Sequence, residues 1–141
     1  MLTELQETII AKLEGIAIAS GIPAFPGVDV WNDHPDKMLE KIIKLPAALV
    51  ALANGRAAGS NTIPPSNQEV KLGWDVFVMF ENRGSRKQAT TQGLGLIELV
   101  WNNLKWLKYG NRMLVPEGFQ LIATVGGKSV YVVNFAIDER M

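Results

Sequence analysis

Residues 69–81 alternate for thirteen positions without a break: Val70, Leu72, Trp74, Val76, Val78 and Phe80 fall on one side, and Lys71, Gly73, Asp75, Phe77, Met79 and Glu81 on the other. A period of two over that length reads as a β-strand. It is longer than the usual strand of about 5–6 residues, so it is expected to be the backbone of a sheet. A sheet with a strongly apolar face must bury that face against another layer, and the remaining sequence supplies the covering elements.

Leu2, Leu5, Ile9, Leu13 and Ile16 recur at helical spacing, and Thr3 followed by Gln6 matches a capping box. An amphipathic helix is expected over about residues 3–19, ending at Ser20-Gly21 before Pro23. Val28 to Trp31 reads as a short strand. Asn32 or Asp33 would cap a second helix with Pro35 in its first turn and Met38, Leu39, Ile42 and Ile43 on its apolar side, closed by Pro46. Ala47 to Ala53 is expected to be a buried strand. Asn54 to Asn67, rich in Gly, Ser, Asn and Pro, is expected to be a long exposed excursion.

A third helix is expected over about Thr91 to Tyr109. Ile97, Val100, Leu104 and Leu107 form its stripe, Leu96, Leu99 and Trp106 widen it, and Trp101 borders the other side. That apolar arc is broader than one sheet contact needs. Gly110 and Asn111 stop the helix, with Lys105, Lys108 and Arg112 where its dipole favours cations. The chain closes in a hairpin: Phe119, Leu121, Ala123 and Val125, a turn at Gly126-Gly127, then Tyr131, Val133, Phe135 and Ile137. The order α-β-α-β-β-α-β-β implies a single α+β domain over 1–141, with helices packed on a mainly antiparallel sheet. A chain this long buries about 68% of its unfolded surface around one core.

Composition narrows the function. The 14 basic and 14 acidic side chains cancel, which removes the global attraction expected of a nucleic-acid or membrane-surface binder. Cysteine is absent, so disulfides and thiolate zinc sites are excluded, and a reducing compartment such as the cytoplasm fits. Glu4, Glu7, Lys12 and Glu14 interrupt the N-terminal apolar residues, leaving neither a signal-peptide core nor a membrane span. The single histidine, His34, lies between Asp33 and Asp36. That shape suits a metal site or proton relay, but also the start of a helix, and no second histidine completes a ligand set. Asp29 and Asp75 are carboxylates within strands, and a hydrolase would need two such groups across a cleft. Glycines at 55, 59, 84, 93 and 95 complete no nucleotide-binding fingerprint; Gly93 and Gly95 are expected to start the third helix or to admit a neighbouring backbone.

Between Arg83 and Arg112 six basic residues stand against one acid, Glu98, with Trp101, Trp106 and Tyr109 among them. These would suit single-stranded nucleic acid, but the basics sit at the two ends of a helix about 27 Å long and make no single patch. Direct nucleic-acid binding is therefore not expected. Trp101 and Trp106 lie about 140° apart on an ideal helix, so one of them is expected to face a neighbouring subunit or solvent.

Taken together, the N-terminal amphipathic helix, Leu45-Pro46-Ala47-Ala48, the excursion 54–67, Trp74-Asp75-Val76-Phe77-Val78, the helix after Gly93 and the closing hairpin resemble the tail terminator family of Mu-like phages and prophages, over most of the chain. The resemblance implies a structural protein of a contractile tail: a ring, hexameric in expectation, that caps the tail tube and presents a surface to head-completion proteins. It implies host cytoplasm during assembly and then the virion or tail particle. It carries over no catalytic residue, cofactor or metal. The excursion 54–67 and the loop 82–90 are the expected docking segments, with Arg56, Asn61, Arg83, Arg86, Lys87, Trp101 and Trp106 as candidate partner contacts. Two other classes stay open: a small ligand-binding or hydrolytic α+β domain with a pocket between third helix and sheet, and a nucleic-acid-binding module. The first would be marked by a buried, pKa-shifted Asp29 or Asp75 facing a cavity, the second by steeply salt-dependent affinity.

Overall fold

In the computed structural model, residues 2–32, 44–57, 69–82, 86–125 and 127–140 are described. In chain order they form α1 (Leu2–Glu14), β1 (Ala17–Ala19), β2 (Ile22–Pro23), β3 (Gly27–Val30), β4 (Ala47–Ala57), β5 (Glu69–Glu81), α2 (Arg86–Leu104), β6 (Lys108–Tyr109), β7 (Arg112–Met113), β8 (Val115–Val125) and β9 (Lys128–Arg140). The fold is α+β. Its main sheet has the order β3-β4-β5-β9-β8, and β5, with the bounds its alternation predicts, is the central strand, hydrogen-bonded along its whole length to β9. Every pairing in this sheet is antiparallel except β3 with β4, which is parallel.

The apolar side of β5 is covered as expected. Leu72, Trp74, Val76, Val78 and Phe80 join Val133, Phe135 and Ile137 of β9 in a core closed by Leu5, Ile9 and Leu13 of α1 and Leu96, Ile97, Val100 and Leu104 of α2. The opposite face is not simply polar. Near the Glu81 end, Phe77 and Met79 are buried with Ala47, Leu49, Val130 and Val132, and Trp31, Leu45 and Ile122 pack against them. Toward the other end the same face becomes polar, with Lys71 paired to Glu117 at 3.2 Å.

Several sequence expectations shift. α1 ends at Glu14 rather than near residue 19, and Thr3 lies inside the helix instead of capping it. The residues after it turn into the β1–β2 hairpin, because Ile16 enters the core and its carbonyl accepts the Ala24 amide at 2.8 Å. Gly21 does adopt a left-handed conformation, φ 74°, but in the hairpin turn rather than as a helix cap. Asn54–Ala57 do not begin the excursion; they prolong β4 beside Gly73–Val70 after an irregularity between Leu52 and Asn54. The Asn54 side chain lies over Gly73, where a Cβ would come 2.9 Å from its Oδ1. The expected second helix, with His34 and its flanking aspartates, and residues 58–68 lie outside the described residues.

α2 begins at Arg86 and ends at Leu104, about five residues earlier than the pattern suggests. Gly93 and Gly95 thus lie inside it. Beyond Leu104, Trp106 takes a left-handed φ of 63°, and its amide donates to the Leu114 carbonyl at 2.7 Å. Lys108 and Arg112 belong to the β6–β7 hairpin, so of the three expected cations only Lys105, directly after Leu104 with its amide donating to the Trp101 carbonyl at 2.9 Å, stays beside the C-terminus of α2. In β8 the register shifts between Leu121 and Ala123. Phe119 and Leu121 stay opposite Val133 and Tyr131, whereas Ala123 pairs with Val130 of the other face, as a bulge requires.

Candidate assembly surface

β8 is an edge strand, and α2 does not reach across to cover it. Phe119 and Leu121 point to the helical side of the sheet, opposite Val133 and Tyr131, yet each remains 53% exposed. Trp101, half-buried on α2, meets the Phe119 ring edge-on with centroids 6.0 Å apart and touches Phe135 on its inner side. With Leu94, Ile97, Glu98 and Asn102, the Trp101 and Phe119 rings line an open cleft of about 270 Å³. Farther along the same edge, Phe80, Leu121 and Tyr131 with the polar Asn82, Thr90, Thr124 and Ser129 line a second cleft of about 480 Å³. From Gly118 to Gly127 the strand carries no charged residue, and between Gln88 and Asn103 of α2 the only one is Glu98. An exposed apolar strip of this kind, with Glu98 the only charge lining it among the described residues, marks an interaction surface more often than scattered surface leucines do.

The edge is poorly suited to adding another strand. Pro116 offers no amide, and β8 is irregular both at Glu117 and at Ile122; prolines and bulges of this sort blunt an edge against backbone pairing. What β8 presents is therefore its side chains.

The sequence-derived contact residues do not form one patch. Arg56 is exposed near the end of β4, opposite Lys71 of β5. Arg86 opens α2 at the far end of β5, and Lys87 beside it is exposed. With β5 between them, the roots of the two expected docking segments are roughly 40 Å apart at about 3.3 Å per residue. Asn61 and Arg83 lie outside the described residues. Trp101 belongs to the cleft. Trp106 does not: it is 55% exposed beyond the end of α2 and, with Met113, Val115, Arg112, Lys71 and Glu117, lines a separate depression of about 550 Å³. Sequence reading missed Leu94 and the uncovered position of Phe119 and Leu121. A charge-free hairpin strand was visible, but not that it would lie at the sheet edge.

Among the described carboxylates, Asp29 accepts the amide of its own neighbour Val30 at 2.8 Å, a local contact at an exposed position of β3. Asp75 is half-buried on the face away from α2, where Asn134 Nδ2 donates to its Oδ1 at 2.7 Å. Burial pushes its carboxyl above the ordinary 3.8, the Asn134 hydrogen bond opposes this, and the charge of Glu117 adds to the rise. The shifted carboxylate therefore lies on the opposite side of the sheet from the cleft along α2. Because the folded protein holds the Asp75 proton more tightly than the unfolded chain, stability falls as pH rises from 3.8 through the folded-state value. Asp75→Asn keeps an oxygen for Asn134 and removes the buried charge. It is expected to raise the melting temperature at pH 7, an advantage that shrinks as pH falls and is gone below pH 3.8. Thermal melts from pH 3 to 7 check this, and a variant less stable at pH 7 would show that the charged form has a stronger partner.

No group of three or more metal-ligating side chains occurs among the described residues, and no helix among them is long and apolar enough to cross a membrane. No protein-family model matches this sequence, and no curated protein matches it either.

Proposed function

We propose that the chain is a structural tail protein similar to the tail terminators of Mu-like phages and prophages, which assembles into a ring, caps the tail tube and offers a surface to head-completion proteins. The observation that carries this reading is the uncovered apolar strip of α2 and β8, Leu94, Trp101, Phe119 and Leu121. An edge that resists strand addition but exposes aromatic and aliphatic side chains suits contact between subunits, where buried aromatics supply much of the binding energy. A closed ring of head-to-tail contacts ends growth because rotation leaves no free edge. The opposite placement of the roots of segments 58–68 and 83–85, at the two ends of β5, supports a two-sided subunit: one end for the tube, the other for the head.

The test removes one docking segment without touching the sheet. A deletion of 56–65 would cut into β4, which runs to Ala57; deleting 58–67 spares it. The expected product is a folded protein that no longer binds tube ends, seen as tails of uncontrolled length in electron micrographs. Normal-length tails from the deletion variant would refute the assignment.

A further inference from the structure

The chain carries a second exposed apolar feature that its own core does not use. The β1–β2 hairpin is exposed at every strand position, with Ile18 at 62% and Ile22 at 52%. Its base is firmly held: Ile16, Ala24 and Phe25 are buried, and Ala24 donates to the Ile16 carbonyl across it. The result is an anchored knob with the Ser20-Gly21 turn at its tip and Ile18 and Ile22 exposed on the strands beside it. From Gly15 to Val28 the sequence contains no charged residue, matching the near absence of charge in the α2–β8 cleft, so seating one in the other would strand no ion except the rim residue Glu98. The strands of the knob, 3 and 2 residues long, are too short to extend a sheet, and β8 is blunted against such extension. Contact would be made by side chains.

The positions of knob and cleft favour a contact between different surfaces of two copies. The hairpin leads directly into β3, at one edge of the sheet, and the cleft follows β8, at the other. Four inter-strand steps of about 4.8 Å put the two edges roughly 19 Å apart. A protomer cannot fill its own cleft across that sheet, and a two-fold dimer through the cleft alone would leave the knob bare. Knob-to-cleft contact is heterologous, the kind that makes a ring where its rotation closes and a filament where it does not. We infer that the partner of the α2–β8 cleft is the β1–β2 hairpin of a second copy of this chain, with Ile18 and Ile22 seated against Leu94, Trp101 and Phe119. The contact deepens the ring reading and rests on it.

The absence of cysteine makes the test clean. Variants I18C and F119C, each exposed at the substituted position, are mixed and treated with a short bismaleimide. A cross-linked dimer is expected from the mixture and not from either variant alone; the double variant I18C/F119C is expected to give a ladder ending in one closed species. In parallel, Ile18→Glu and Phe119→Glu are each expected to weaken self-association by about tenfold or more. Their equimolar mixture should regain dimers, because one intact knob and one intact cleft remain. Circular dichroism and melting curves matching the parent show that the variants fold.

Cross-linking of either single variant to itself as readily as to the other would overturn the inference. So would a mixture that yields no product at any concentration up to the solubility limit. Rings that form without the I18C–F119C product would remove this contact and leave the proposed function standing. The cross-link together with tails of unaltered length in strains carrying Phe119→Glu would establish the contact and remove the tail-terminator reading.

Discussion

Gly93→Ala is expected to destabilise the protein by about 2 kcal/mol even though alanine is the better helix former. A Cβ at position 93 would lie 2.1 Å from Phe80 Cζ, whereas ordinary contact begins near 3.4 Å, so ring or helix would have to give by about 1.3 Å. The ring has little freedom to do so: Phe80 is 2% exposed and lies nearly parallel to Tyr131 with centroids 6.0 Å apart. Overpacking a core typically costs about 1–3 kcal/mol, and so close an approach to a ring belongs at or beyond the top of that range. Against this stands a helix-propensity gain of about 1 kcal/mol. Gly95, two residues on, has nothing within 4 Å of its would-be Cβ and is exposed. Gly95→Ala should therefore stabilise by roughly 0.5–1 kcal/mol. Urea unfolding of both variants measures the contrast. A Gly93→Ala protein as stable as the parent would mean that α2 does not sit so close to β5, and adding Phe80→Leu should recover part of the loss if the clash is its cause.

Trp74→Ala should cost more, about 3–5 kcal/mol, the usual range for truncating a buried large aromatic. Trp74 is 1% exposed at the middle of the central strand, between Leu52 of β4 and Phe135 of β9. In a domain of about 5–15 kcal/mol total stability, that is a large fraction, and for a chain of this size it lowers the melting temperature by roughly 2–4 °C for each kcal/mol. Trp74→Phe separates packing from polarity. The indole Nε1 is buried with no hydrogen-bond partner among the described residues, and an unsatisfied buried donor costs about 1–3 kcal/mol. Phenylalanine leaves a small void but no orphaned donor, so its cost should be well under half that of alanine. Equal losses for the two variants in calorimetry would show that Nε1 is stabilised after all.

Elements whose signal is carried by their own residues were legible. β5 has the predicted bounds because thirteen alternating side chains meet a covered face on one side and a half-covered one on the other. The stripe Leu5, Ile9, Leu13 found its core, and the closing hairpin pairs as its sequence implies up to Leu121. Errors fell where a distant residue overrides a local preference. Gly93 reads as a helix start, but Phe80 is what demands a glycine there. Asn54-Gly55 reads as a loop, yet β5 is long enough to pair with it and keeps it in the sheet. Trp106 to Tyr109 continues the helical pattern, but the Leu114 carbonyl captures the Trp106 amide and the chain turns.

The candidate surface divides in the same way. Sequence alone determined that α2 and β8 are rich in apolar and aromatic residues, nearly free of charge, and more than one contact could absorb, since composition and periodicity are properties of neighbouring residues. Only the tertiary structure decided that β8 lies at an edge, that α2 stops short of covering Phe119 and Leu121, and that the isoleucine hairpin leads into the strand at the other edge. Whether an apolar side chain is core or surface depends on which strands become neighbours. That order is set by the burial of all faces together and is written in no single segment.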